Sequence, residues 1–264
     1  MNATVFDQLA QMLFVVVLGS ARMAGALAVF PLSAGAFMPA MLRGLLGVAF
    51  SLAAVQALHG SLVALPVAPL AIWLVVKEAC LGALLGFAFG MVFWAVEQVG
   101  HLVDFQTNLT FTQTLDPLVG NASSVHARWL LQVLIVVFLS VGGLRIFLQA
   151  VYASFAVWPI LDLGPTIQPG WIKVFSDHTG RLFMLAALFA APTLLVLLLV
   201  EFGFGLLGRA APQLDVFAIT GPVKTWLATG VLAMSLPFIF ERALQAIGGY
   251  RRLVDVLHEV LLSG

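Results

Sequence analysis

Charge is what this sequence has least of. Of 264 residues, only 12 are Lys or Arg and 12 are Asp or Glu, so charged residues make up 9% of the chain. A soluble globular domain carries about 25%, because its surface must face water. The shortage excludes a soluble enzyme of this size. The equal numbers of basic and acidic residues remove any electrostatic case for nucleic-acid binding. Cysteine is scarcer still: Cys80 stands alone, which excludes an internal disulfide and a CxxC pair, and its apolar surroundings predict an inert core position. The first 20 residues contain no Lys or Arg. A secretory signal needs a positively charged start, so residues 9–30 read as a retained helix. No Walker A loop or GxSxG elbow occurs, and nothing else in the chain marks an enzyme or a cofactor site.

What is present is apolar sequence in long runs. Hydrophobic residues make up 62% of the chain and the mean hydropathy is +1.08. A bilayer-crossing helix needs roughly 20 apolar residues. Between charges the chain leaves 14 uncharged positions from Asp7 to Arg22, 20 from Arg22 to Arg43 and 33 from Arg43 to Lys77. That last stretch is divided by Pro66 and Pro69 into pieces near 44–64 and 70–77. Further runs of 18, 16, 16, 19 and 16 follow Glu78, Arg128, Arg145, Arg181 and Lys224. These runs predict an all-α membrane protein with roughly six or seven hydrophobic helices; continuous rather than alternating hydrophobicity argues against a β-barrel. Arg251-Arg252 leans the C-terminus toward the cytoplasm.

Proline interrupts or bounds these runs at Pro31, Pro39, Pro66, Pro69, Pro159, Pro192 and Pro237. Carbonyls freed by proline need partners in hydrocarbon, so kinked helices packed against other protein are expected. Arg22, Arg145, Glu201 and Arg209 sit close to or inside the runs. A charge deep in lipid costs several kcal/mol unless paired or hydrated. These four therefore mark helix ends, pair between subunits, or line a watery pore. Gly82, Gly86 and Gly90 lie four residues apart on one helix face, the spacing of close backbone approach in membranes. Gly203, Gly205 and Gly208 mark a second helix of this kind.

The most unusual segment follows Glu97. Thr107, Asn108, Thr110, Thr112, Gln113 and Thr114 alternate with Leu109 and Phe111, and Asp116-Pro117 and Gly120-Asn121 are turn signals. Residues 106–122 read as a non-helical loop, too polar for lipid and too apolar for a solvated linker; such backbone is tolerated where it lines or fills a cavity. Glu97, His101 and Asp104 share a helix face at i, i+4 and i+7, but this is neither HExxH nor a di-iron spacing, so a hydrated helix end is the better reading than a metal site.

Two stretches carry a family resemblance. One runs from Lys77-Glu78 through Gly82 and Gly86 to Phe93-Trp94, Gly100, Asp104, Gln106 and Asp116-Pro117. The other runs from Glu201 through Gly203, Gly205, Gly208 and Arg209 to Ala211-Pro212-Gln213, then Phe217-Ala218-Ile219 and Pro222-Val223-Lys224. Together they resemble the export-apparatus family of type III secretion systems, known as SctT, YscT, SpaR or HrcT, with the flagellar relative FliR. Asn108 departs from the glycine expected after Gln106-x, which bears on the loop's backbone. Glu201 and the Phe-Ala-Ile…Val-Lys run look more like the virulence injectisome branch.

The resemblance implies a single export-apparatus domain over 1–264, made of kinked hydrophobic helical hairpins that pack into a hetero-oligomeric helical gate in the bacterial inner membrane. Its implied partners are two other small helical subunits, of SctR and SctS type, the substrate-switching SctU-type protein, and unfolded secreted polypeptides in transit. The family's pore plug falls on Gln106 to Ala122, with Gln106, Phe111, Leu115, Asp116, Pro117 and Gly120 as its candidate residues. A few apolar side chains can seal a conduit as hydrophobic constrictions do in channels. Arg145, Glu201, Arg209 and Lys224 are candidate charged assembly contacts, and Ala211, Pro212 and Gln213 the family motif. Gly248-Gly249 is expected to break the amphipathic tail 241–264 from the preceding helix, leaving it to dock the SctU-type partner or lie on the membrane surface. The competing reading is a secondary transporter or channel for a small solute with Arg145 or Glu201 at its midplane; the absence of a convincing internal repeat speaks against it.

Overall fold

A computed structural model describes residues 2–33, 38–59, 68–107, 124–162, 171–213 and 216–262. Among them every regular element is helical: α1 (Asn2–Val29), a 3₁₀ turn (Pro31–Ser33), α2 (Ala40–His59), α3 (Ala68–Gln106), α4 (Val125–Ser140), α5 (Gly143–Val157), α6 (Trp171–Ala210) and α7 (Val216–Leu262). Four of these contain a stretch long and apolar enough to cross a membrane: Leu9–Val29, Ala68–Gln106, Phe183–Ala210 and Ile219–Gly249. The count becomes five if the bent pair α4 and α5 forms one span. The seven α-helices among the described residues match the six or seven hydrophobic helices read from the runs; fewer reach spanning length, because α2 holds only a short apolar stretch, Ala40–Leu52, and α4 and α5 are each too short alone.

Several boundaries differ from the expectation. The piece near 70–77 is no separate element but the start of the 39-residue α3, and Lys77-Glu78 lies inside that helix. At 1.5 Å per residue α3 is roughly 58 Å long, about twice a ~30 Å hydrocarbon core. Proline does not end every helix either. Pro192 lies within α6, and Pro222 and Pro237 within α7. Gly248-Gly249 likewise fails to break α7, which continues to Leu262; a glycine costs about 1 kcal/mol of helix propensity, a penalty and not a prohibition. The chain does break at Gly142, whose φ of 76° lies in the left-handed region, as the N-cap of α5. Glycine populates that region without a Cβ clash. Cys80, expected in the core, is exposed on α3.

The chain divides into two compact units. The first comprises residues 1–90, 142–171 and 247–264. Its core stacks Phe30 on Phe147 (centroids 4.6 Å apart) and sets the edge of Phe89 against Phe147 (5.3 Å). Val15, Leu18, Leu74 and Ile160 form a neighbouring apolar cluster. Glycine makes the α1–α3 seam possible. An ideal Cβ on Gly82 would lie 1.8 Å from the Arg22 carbonyl oxygen, one on Gly86 2.2 Å from that of Ala26, and one on Gly25 2.2 Å from that of Ala79. The partner of the Gly82 and Gly86 face is therefore this chain's own first helix.

The second unit comprises residues 91–141 and 172–246. Phe93 meets Phe138 edge-on at 5.2 Å, and Phe189 meets Phe238 at 6.3 Å. Here α3 and α4 touch at Gly100, where a Cβ would fall 2.2 Å from the Ala127 backbone nitrogen. Gly100→Val is expected to push the first turn of α4 off α3. A circular-dichroism melt in detergent should show a loss of about 1–3 kcal/mol, the usual cost of overpacking; an unchanged melt would mean this contact is absent.

Candidate functional site

In the first unit a charged cluster lies in the core. Arg22, two turns before the end of α1, and Glu78, in α3, are both fully buried. The guanidinium grips the carboxylate with two bonds, Nε to Oε2 at 2.7 Å and Nη2 to Oε1 at 3.1 Å. It also donates to the Ser154 hydroxyl (3.0 Å) and the Trp158 carbonyl (2.9 Å), and its Cζ lies 4.2 Å from the Phe155 ring centroid. Lys77 places all three ammonium donors, on Glu78 Oε1 (3.0 Å) and on the carbonyls of Ile160 (2.8 Å) and Asp162 (2.7 Å). Two cations face one carboxylate, and the surplus positive charge is offset by the Trp158 carbonyl at the negative C-terminal end of α5 and by the Ile160 and Asp162 carbonyls of the turn that follows. Arg22 thus neither marks a helix end nor pairs between subunits: its counter-ion comes from its own chain.

In the second unit the polar groups gather where α3 ends and α4 begins. Asp104, in the last turn of α3, is buried. Its carboxylate accepts from the Ser124 hydroxyl and from His126 Nδ1–H through Oδ2 and Oδ1, and from the His126 backbone N–H at 3.1 Å. Ser124 is the N-cap of α4 and accepts in turn from Ala127 N–H (3.1 Å). A helix start leaves several N–H groups without internal partners and carries partial positive charge, so a cap hydroxyl and a carboxylate both fit there. His126 Nε2 reaches the Thr229 hydroxyl of α7 at 2.9 Å, and that hydroxyl donates to the Thr225 carbonyl (2.8 Å). Thr107 closes the end of α3 by donating its hydroxyl to the Val103 carbonyl (3.0 Å).

Gln106 belongs to the last turn of α3, not to the loop, and donates to Glu201 Oε2 at 3.0 Å. Lys224, itself buried, reaches the same oxygen at 3.3 Å. Glu201 and Lys224, read as assembly contacts, are therefore brought together within the chain with Gln106. Arg145 and Arg209 are exposed. Phe111, Leu115, Asp116, Pro117 and Gly120 lie outside the described residues. Ala211-Pro212-Gln213 forms the turn after α6, Ala211 N–H donating to the Leu207 carbonyl at 2.8 Å. Gly82, Gly86 and Gly90 are buried, whereas Gly203 and Gly205 are exposed with no neighbour within 4 Å among the described residues. Gly208 meets only the Val216 side chain, at 3.8 Å. Half-buried Glu97 and exposed His101 form a loose pair at 3.9 Å, while Asp104 turns to Ser124 and His126. Sequence reasoning missed Ser124 and His126; the Ser-x-x start of an apolar run was the available cap signal.

Long apolar helices, buried ion pairs closed within the chain and a polar cluster at one interhelical junction define a multi-pass, all-helical membrane protein. The comparisons name its family. Residues 13–249 match the model of the bacterial export proteins, family 1, and the chain belongs to that family. It is 33% identical over 174 residues to Yop proteins translocation protein T of Yersinia pestis, covering 66% of this chain and 67% of that protein. It is 34% identical over 166 residues to the surface presentation of antigens protein SpaR of Salmonella typhimurium, covering 62% and 60%. It is 29% identical over 168 residues to the flagellar biosynthetic protein FliR of Pectobacterium carotovorum, covering 64% and 64%. The protein is thus an inner-membrane component of a bacterial protein-export apparatus, which sets aside the small-solute transporter.

Proposed function

We propose that this chain is a structural, channel-forming subunit of a type III export gate, without enzymatic activity of its own, and that its 106–122 segment helps seal the conduit that unfolded polypeptides cross. The observation that carries this reading is the junction at Asp104. The two chain ends that flank 108–123 are tied to one buried carboxylate. A segment rich in Thr with interspersed Phe and Leu is thereby rooted at one place, as a plug must be if it is to block a pore and yield without being lost. Partners of SctR and SctS type, and an SctU-type protein at the tail 241–264, complete the assembly. Gly203, Gly205, Arg145 and Arg209, which leave backbone and charge uncovered, are the positions this reading assigns to contact with them.

The test is copurification from membranes in mild detergent, followed by ion-flux measurement on the reconstituted complex. One copy of this chain is expected among several copies of two smaller helical proteins. Deleting 108–122 should leave that complex intact and raise its small-ion leak well above that of the wild type. A monomer extracted without partners would overturn the subunit reading. An intact deletion complex that stays tight would overturn the plug.

A further inference from the structure

We infer that Asp104 is a positioning residue: it fixes the first turn of α4 on the last turn of α3 and, through His126, ties both to Thr229 of α7. A helix start needs only its own N-cap hydroxyl, and Ser124 already supplies that to Ala127 N–H. Asp104 comes from 20 residues earlier in the chain and adds acceptors for three donors: the Ser124 hydroxyl, the His126 backbone N–H and the His126 ring. Ser124, His126 and Asp104 are all buried, so no bulk water stands ready to replace a lost acceptor, and each stranded donor carries its full desolvation penalty. The carboxylate is matched to its place in charge as well. It sits at the positive end of α4 and on an imidazole whose other nitrogen meets the Thr229 hydroxyl. Gly100, one turn earlier on α3, supplies the close approach that lets the carboxylate reach.

The structural consequence is specific. Without Asp104, Ser124 still caps α4, so the helix survives, but the bonds that hold its start to α3 are gone. The chain ends on either side of 108–123 then move apart. This inference rests on the plug reading only for its effect on sealing; the positioning itself is independent of it.

The experiment places spin labels at Phe105→Cys and Val125→Cys, both exposed and flanking the junction, in a Cys80→Ala background. Electron paramagnetic resonance reads the distance distribution in the purified export complex, and the same preparations are assayed for small-ion leak. Asp104→Ala is expected to widen the distribution roughly two-fold as the junction opens locally. Asp104→Asn, which keeps an oxygen for the His126 N–H, should give an intermediate width. His126→Gln should leave the α3–α4 bonds through Ser124 and widen it less than Asp104→Ala. Should Asp104→Ala fail to assemble, the near-isosteric Asp104→Asn carries the same comparison. A distribution unchanged by these substitutions overturns the inference, whatever the leak. A widened distribution with no added leak upholds the positioning role and overturns the plug.

Discussion

Glu78→Ala is expected to destabilise the folded chain by about 3–5 kcal/mol, the cost of leaving a buried charge without its partner. The substitution strands two cations, since Arg22 and Lys77 both lean on that carboxylate. Glu78→Gln should recover part of the loss, because the amide oxygen still accepts from one guanidinium nitrogen, although the charge is gone. Lys77→Met should cost less than Glu78→Ala: it keeps the Arg22–Glu78 pair and gives up the Lys77–Glu78 contact and the two bonds to the Ile160 and Asp162 carbonyls. The measurement is thermal unfolding of purified protein in one detergent, with Glu241→Ala as reference. Glu241 is exposed, and surface changes stay within about 0.5 kcal/mol. A Glu78→Ala melt no lower than the Glu241→Ala melt would show that the buried pair does not form.

Alanine at two glycines that look alike in sequence should shift stability in opposite directions. At Gly82 the added Cβ meets the Arg22 carbonyl at 1.8 Å, which backbone cannot relieve without separating α1 from α3. A loss of about 1–3 kcal/mol is expected. At Gly203 the Cβ meets nothing within 4 Å among the described residues, and the position is helical, so alanine's better propensity should raise stability by about 0.5–1 kcal/mol. Melts of the isolated chain read both signs. If Gly203 faces a partner helix, the same substitution that stabilises the chain alone will lower recovery of the complex and slow secretion. Equal recovery would show that this face meets lipid.

These two glycine sets show what could be read without coordinates. The i, i+4, i+8 spacing of Gly82, Gly86 and Gly90 announces close helix approach, because only the absence of a side chain makes it possible. Spacing does not say which helix approaches, and so the first set and Gly203-Gly205 looked equivalent. The charges misled for a related reason. Lys77 and Glu78 read as a boundary between runs because a hydropathy count weighs each residue alone, whereas Glu78 holds both Lys77 and Arg22, 56 residues earlier, in one buried cluster inside the helix. Gly248-Gly249 read as a break on propensity, a penalty that neighbouring helical residues outweigh in α7.

The sequence by itself determined the class. Too few charges to cover a water-facing surface, long apolar runs and a glycine, proline and polar pattern shared with bacterial export proteins leave a multi-pass helical export component as the outcome, since solvation and propensity act residue by residue along the chain. The tertiary structure alone decided which polar groups meet. That Arg22 closes on Glu78, and Asp104 on Ser124 and His126, depends on distances between helices. Buried ionic groups are stable only at contact with a partner, and contact is a property of packing that no local stretch of sequence contains.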